Sequence, residues 1–483
     1  MNAQEHSLGI SRELMPHASC FCELQVKSGQ VVRGSLDDLP DFYHTEVCSR
    51  DRARSNQIGY SYAWSDLEDL PCAQRLRTRE GAAFQPYMRV RAVQRTIPMG
   101  DRNATDFSQA AHLGVLRIGG ACRPEEYVTY RGPVPRGDTW EGTMIDDHFV
   151  VQVMPRQAPR SVVRAPPRDE VLLEAVEQAY DRAGLHPKLA KRVRYANVFE
   201  AIGGCIDGLA GKVSAKPTFL LLTSLIAAVV GIVDYCSGLM MHTLLSMFVH
   251  DFLFARELLS LFGHAYRFAT AAGVSSTTPK ALPGAARDEI LVAALVLPFA
   301  HTDIRAPVHT TLYASDARGG SDPRLGVVST PISAAVASEL WRHRNRRAGY
   351  VSLRDPGSAS PVDLVASVLG EDDDDDASGV GPPATSKRVE ALSAIHAQRR
   401  WVDQLADGLG WSCVRRFRAT PPNERIHLGE LRAVRDVVRL AVRRRGLRDV
   451  RLLDLCDSTV VVGAVAKGRS SSTEVNWLLR SFV

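Results

Sequence analysis

Residues 143–151, Thr-Met-Ile-Asp-Asp-His-Phe-Val-Val, constrain this chain more than any other stretch. Met144 and Ile145 run into Asp146 and Asp147, and after His148 the apolar run resumes with Phe149, Val150 and Val151. Two short β-forming runs around a pair of carboxylates predict a tight β-hairpin with the acids at its turn. Carboxylates this close raise one another's pKa unless a cation neutralises them. Mg²⁺, which accepts one or two carboxylates together with substrate phosphates, meets that need. A surface turn that happens to carry two aspartates has the same local pattern, so the weight falls on what accompanies it.

The accompanying signals lie upstream. Gln30 to Leu36 alternates weakly and reads as a strand that runs into Asp37-Asp38-Leu39-Pro40-Asp41-Phe42-Tyr43-His44. This places Asp38 at a strand end with Tyr43 five residues on. Pro98-Met99-Gly100 reads as a turn, and Asn103 to His112 as the start of a helix. Gly100 would allow the backbone to approach a bound template or nucleotide closely. Each of these has an ordinary structural reading when taken singly.

Composition excludes some classes. The 483 residues suffice for roughly two to four domains. The 59 Lys and Arg against 54 Asp and Glu permit a polyanionic partner without demanding one. Arginine is concentrated over residues 91–95, 342–347 and 443–448, and it suits phosphate contacts. Nine scattered cysteines without a CxxC pair argue against a zinc site or a disulfide framework and for a reducing compartment. Residues 1–30 carry no signal-peptide pattern, so an intracellular location, cytoplasmic or nuclear, is expected. The uncharged run at residues 218–233 would span roughly 24 Å as a helix, short of a ~30 Å hydrocarbon core. Packed helices whose apolar faces form core are expected there, not a membrane anchor.

Taken in order, strand-Asp with Tyr43 following Asp38, then Pro98-Met99-Gly100, then Met144-Ile145-Asp146-Asp147 resembles motifs A, B and C of a reverse transcriptase palm. The wording around Leu39 to His44 and Pro98 to Ala104 is similar to retrotransposon polyproteins of the DIRS-like or gypsy-like kind. Farther on, Asp316 ends a strand before a Gly-rich turn, Glu430 lies in a helix, and Asp457 follows a second strand. That order resembles a ribonuclease H domain, with Glu339 as a competing candidate for the helix acid.

The resemblance implies an α+β chain: a polymerase palm of antiparallel sheet and flanking helices, a helical thumb and connection, and a partial ribonuclease H-like α/β domain. The expected divisions are residues 1–170 for a palm lacking most of its fingers and 171–275 for the end of the palm, thumb and connection. The ribonuclease H-like parts are expected at 276–355 and 387–483, around a flexible acidic insertion at 356–386. Met144 stands where the family has an aromatic residue, and the chain ends soon after Asp457, before a fourth nuclease carboxylate; a fragment of a longer polyprotein is expected.

The implied activity is RNA-directed DNA polymerisation by two-metal phosphoryl transfer, with a linked ribonuclease H. The implied metal ligands are Asp38, Asp146 and Asp147 in one site and Asp316, Glu430 and Asp457 in the other. Mg²⁺ is the implied cofactor, with Mn²⁺ as a substitute. Tyr43, Pro98, Met99 and Gly100 would contact nucleotide and template, and Lys188 or Lys191 would be the lysine near the nucleotide. RNA template, DNA primer, RNA–DNA hybrid and dNTPs are the expected partners, with no membrane and no obligate protein partner. A non-catalytic relic that keeps the fold and nucleic-acid binding is the alternative expectation.

Overall fold

The computed structural model describes residues 15–80, 84–101, 103–130, 132–156, 165–319, 322–344, 402–418 and 425–482. The insertion expected at residues 356–386 lies outside them, as does the segment at 387–401. The chain mixes helix and sheet and divides into two compact units, Met1–Cys20 with Val31–Ile202, and Phe21–Gln30 with Gly203–Val483.

The first unit contains β1 (Gln30–Asp38), α1 (Phe42–Thr45), α2 (Arg50–Ser55), β2 (Gln57–Ala63), α3 (Pro71–Glu80) and β3 (Arg89–Val93), followed by α4 (Ala104–Ile118), β4 (Thr139–Met144), β5 (Asp147–Pro155), α5 (Arg168–Ala183), β6 (Val193–Ala196) and β7 (Val198–Ala201). A four-stranded sheet has the order β4-β5-β1-β6, with β4 antiparallel to β5 and β1 antiparallel to β6. This order sets the end of β1 beside the β4–β5 hairpin. Helices α4 and α5 close the sheet through Leu113, Leu116, Val150, Leu172, Val176 and Tyr180. Each such side chain contributes roughly 1.5–3 kcal/mol by leaving water. The helical period places Leu172, Leu173, Val176 and Tyr180 inward. Val171, beside Leu172 in the chain, is 40% exposed. Gly184, with φ +68°, ends α5 in the left-handed conformation that suits a glycine cap.

The second unit begins its helical part after a small sheet of β8 (Gly204–Asp207), β9 (Lys212–Ser214) and, from later in the chain, β12 (His301–Asp303). Between them come α6 (Pro217–Val233), β10 (Tyr235–Cys236), α7 (Gly238–Asp251), α8 (His264–Ala272), β11 (Lys280–Ala281) and α9 (Gly284–Val296). Their shared core includes Ala227, Met241, Leu244, Phe248, Phe252 and Phe262. No helix among the described residues is long and apolar enough to cross a membrane. The expectation that the apolar faces here are core needs correcting for α6. Thr223, Ala227 and Val230 turn inward, but Leu225 is 56% and Ile232 81% exposed. A 17-residue helix that is apolar all round has more apolar surface than one neighbouring layer can cover.

The rest of the second unit is β13 (Val308–Arg318), β14 (Arg324–Pro331), α10 (Ala334–His343), β15 (Ser412–Arg418), α11 (Ile426–Arg445), β16 (Arg451–Leu455), α12 (Thr459–Lys467) and α13 (Thr473–Leu479). The sheet order is β15-β14-β13-β16, antiparallel except for the parallel β13–β16 pair. A parallel neighbour needs a crossover, and α11 provides it. Ser333, Ser458 and Ser472 each cap the helix that follows by accepting a backbone N–H.

Candidate functional site

The β4–β5 hairpin pairs Met144 with Asp147, leaving Ile145 and Asp146 as a two-residue turn. Ile145 has φ +59°. For a β-branched residue this conformation is an outlier that costs on the order of 1–3 kcal/mol and persists only where its surroundings over-determine it. Helix α4 supplies those surroundings. The Ile145 N–H donates to Gln109 Oε1 (2.8 Å), and Gln109 Nε2 donates to the Thr143 carbonyl (2.9 Å). His112 Nδ1 lies 2.8 Å from the Ile145 carbonyl oxygen, and its Nε2 2.8 Å from the Tyr180 hydroxyl. A carbonyl can only accept, so Nδ1 carries the proton and Tyr180 donates to Nε2. Burial, with His148 nearby, drives the His112 pKa down to about 3, which keeps the ring neutral.

Asp38 ends β1, and the N–H of the next residue, Leu39, donates to the Asp146 carbonyl (3.0 Å). Strand end and hairpin turn therefore meet. Burial, reinforced by the charges of Asp146 and Asp38, pushes the Asp147 carboxyl up to about 6. Burial, with Asp38 adding to it, also raises Asp146. Lys191 Nζ lies 2.6 Å from Asp38 Oδ2. Of the two lysines that the sequence left open, Lys191 therefore brings its side chain to the acids, whereas Lys188 contributes its backbone N–H to the Asp38 carbonyl (2.9 Å). The neighbouring Asp37 is buried and bonded to Arg192 and Arg194, each at 3.0 Å. Strand alternation sends Asp37 and Asp38 to opposite faces.

The remaining sequence candidates lie nearby in the chain. Tyr43 is a half-buried residue of α1. Pro98 is buried, Met99 is 71% exposed, and Gly100 has φ +84° in the turn before α4. That positive φ is what calls for glycine there. Beyond its chain neighbours, no atom comes within 4 Å of the position a Cβ would take, so close approach within the chain is not the reason. Asp101 holds the turn by pairing with Arg52 and accepting the Asn103 N–H (2.9 Å).

The second acid cluster is built by register. Ala314 on β13 pairs with Leu455 on the parallel β16, so Asp316 and Asp457, two residues farther along each, emerge at the same edge. Gly429 lets α11 approach β13, since a Cβ there would lie 3.2 Å from that of Ala317, and Glu430 follows it. One oxygen from each of Asp316, Glu430 and Asp457 lies within 4.8 Å of the others. Glu339, the competing candidate, is bonded to Arg342 and His343 instead. Beside the cluster, burial pushes Asp454 up to about 7, against a 2.7 Å hydrogen bond with Ser315 that lowers it.

Among the described residues one other group has ligand atoms this close, the fully buried Cys122, Glu141 and His148. Asp38, Asp146 and Asp147 do not meet that spacing. In the buried group Glu141 accepts the Cys122 N–H (2.6 Å) and bonds His148 Nε2 (2.9 Å), while His148 Nδ1 has no partner. An imidazole on a metal almost always donates its second N–H, so this geometry fits a hydrogen-bonded core carboxylate better than a metal centre.

Sequence reading missed Gln109, His112, Tyr180 and the Asp37 network. The spacing of Gln109 and His112, three apart on one helix face, was visible; the hairpin turn they serve lies more than thirty residues away.

No protein-family model matches the chain, and no curated protein matches it. Solved structures that resemble it include the foamy viral protease-reverse transcriptase in complex with RNA/DNA hybrid, at 9% identity and TM-score 0.40, covering 94% of this chain and 61% of that one. A dsDNA complex of the foamy viral protease-reverse transcriptase matches at 12% identity and TM-score 0.36, covering 68% and 52%. Another, of the form titled dRH, matches at 11% and 0.38, covering 68% and 44%. The chain thus spans 44–61% of the length of these structures. So distant a likeness assigns no role to any residue, and the functional reading rests on the side chains.

Proposed function

We propose that the first unit is a polymerase palm that extends a DNA primer on an RNA template, and that the second carries a ribonuclease H-like site for the RNA strand of an RNA–DNA hybrid. One observation carries the reading: the strand end at Asp38 docks on the hairpin turn through the Leu39 N–H and the Asp146 carbonyl, which brings Asp38 within electrostatic reach of Asp146 and Asp147, with Lys191 on the Asp38 carboxylate. The donor set is all oxygen, and Asp147 is held near 6 by burial and by its neighbours' charge, so a divalent cation fits the site. Asp38, Asp146 and Asp147 would hold Mg²⁺, or Mn²⁺ in its place, and Asp316, Glu430 and Asp457 would do so in the second site. When bound, such an ion lowers the pKa of an attacking hydroxyl or water and offsets charge on the leaving oxygen.

The chain's own residues do the rest. The hairpin fixes the direction of Asp146 and Asp147. Lys191, a mobile point charge on a flexible stem, can exchange Asp38 for the triphosphate of a dNTP. Tyr43 would face the sugar of the incoming nucleotide, and Pro98, Met99 and Gly100 would line the template side.

Primer extension on poly(rA)/oligo(dT) with dTTP and Mg²⁺ tests the proposal. Wild-type protein should extend and Asp147→Asn should not. Extension that survives the substitution rejects the assignment.

A further inference from the structure

The hairpin turn has more outside support than a surface turn needs. Three of its backbone groups are taken by residues beyond the hairpin: the Ile145 N–H by Gln109, the Ile145 carbonyl by His112, and the Asp146 carbonyl by Leu39. The carbonyl that His112 takes belongs to the peptide joining the left-handed Ile145 to Asp146. Rotation of that peptide would re-aim Asp146 and then Asp147.

His112 is itself fixed at both ends. It is fully buried, its ring centroid lies 5.3 Å from that of Phe42 and 5.7 Å from that of Tyr180, and each ring nitrogen has one partner at 2.8 Å. Tyr180 stands on α5, so one imidazole bridges a second helix to the turn. A histidine that merely filled core could turn either nitrogen to any available group. Here the Ile145 carbonyl, which can only accept, requires the tautomer with Nδ1–H, and the Tyr180 hydroxyl donates to Nε2 and holds the ring in that orientation.

We propose that His112 is a positioning residue for the catalytic acids, acting through the Ile145 carbonyl, with Tyr180 anchoring its Nε2. The proposal rests on the polymerase reading and adds to it a device that aims the carboxylates. His112 touches no substrate; its effect is on where Asp146 and Asp147 point. Misplacement on the order of 1 Å in such a site can cost about 10²-fold in rate.

The test uses the full chain as wild type, His112→Leu, His112→Asn, Tyr180→Phe and Asp147→Asn. Asparagine keeps an N–H donor near the Nδ1 position, and Tyr180→Phe keeps the packing but loses the hydroxyl. Two quantities are read: kcat and KM for dTTP in primer extension, and the part of Mn²⁺ binding that Asp147→Asn removes. His112→Leu should lower kcat by roughly ten- to a hundredfold with KM changed less than about threefold. Tyr180→Phe should fall between, and His112→Asn should recover most of the loss. Unchanged kcat in His112→Leu, or no rescue by His112→Asn at equal thermal stability, overturns the proposal.

If wild-type protein does not extend a primer, the polymerase reading fails and the positioning role is judged on Mn²⁺ alone. Weaker Asp147-dependent binding in His112→Leu, restored in His112→Asn, supports it. Equal binding in all three, or no such binding in wild type, overturns it.

Discussion

Asp454→Asn should stabilise the second unit at alkaline pH and lose most of that advantage in acid. Asp454 sits on β16 with one oxygen bonded to Ser315 and the other buried without a partner. Burial raises its carboxyl from 3.8 to about 7 in the folded chain. Between those values the native state binds more protons than the unfolded one, so stability falls as pH rises through the window and levels off above it. Folding with this carboxyl, ionised at pH 8 and protonated at pH 5, then costs about 4 kcal/mol at pH 8 and about 2 kcal/mol at pH 5 relative to a group that cannot titrate. Asparagine cannot ionise and can still accept from Ser315. Urea unfolding of both proteins at pH 5 and pH 8 therefore should show the variant's advantage growing by about 2 kcal/mol between the two. A constant offset across that range would refute the reasoning, because any change in packing alone is independent of pH.

Glu430→Gln should lower divalent-metal-dependent hydrolysis of the RNA strand in a hybrid by at least about a hundredfold, as loss of a charge-stabilising group at the reacting centre does. Glu339→Gln should leave it within about twofold, read from cleavage of a labelled hybrid. Phe248→Ala, in the fully buried helical core, should cost about 3–5 kcal/mol by thermal or urea unfolding. Ile232→Ser, on the exposed side of α6, should change stability by less than about 0.5 kcal/mol.

The legible parts of this molecule are those written in short-range pattern. The hairpin, the Asp38 strand end and the start of α4 follow from periodicity and turn chemistry, although the turn falls on Ile145 and Asp146 and not on the acid pair, and Asp316, Glu430 and Asp457 were picked out by family resemblance. Setting aside Glu339, the competitor to the Glu430 chosen from sequence, needed tertiary structure, since Glu339 is nearer Asp316 in sequence but is bonded to Arg342 and His343. His112 serving Ile145, and Tyr180 serving His112, are long-range contacts with no local trace. The open face of α6 was misread because an apolar run announces burial without saying how much neighbouring surface exists to provide it.

The central claim is that Asp38, Asp146 and Asp147 share metal ions. A crystal of the chain grown with Mn²⁺, a primer–template and a non-hydrolysable dNTP, measured near the manganese absorption edge, tests it most directly. Anomalous peaks among the three carboxylates, with Lys191 drawn off Asp38, are the predicted result. A map with no peak there, and the Lys191–Asp38 pair intact beside a bound nucleic acid, would contradict it.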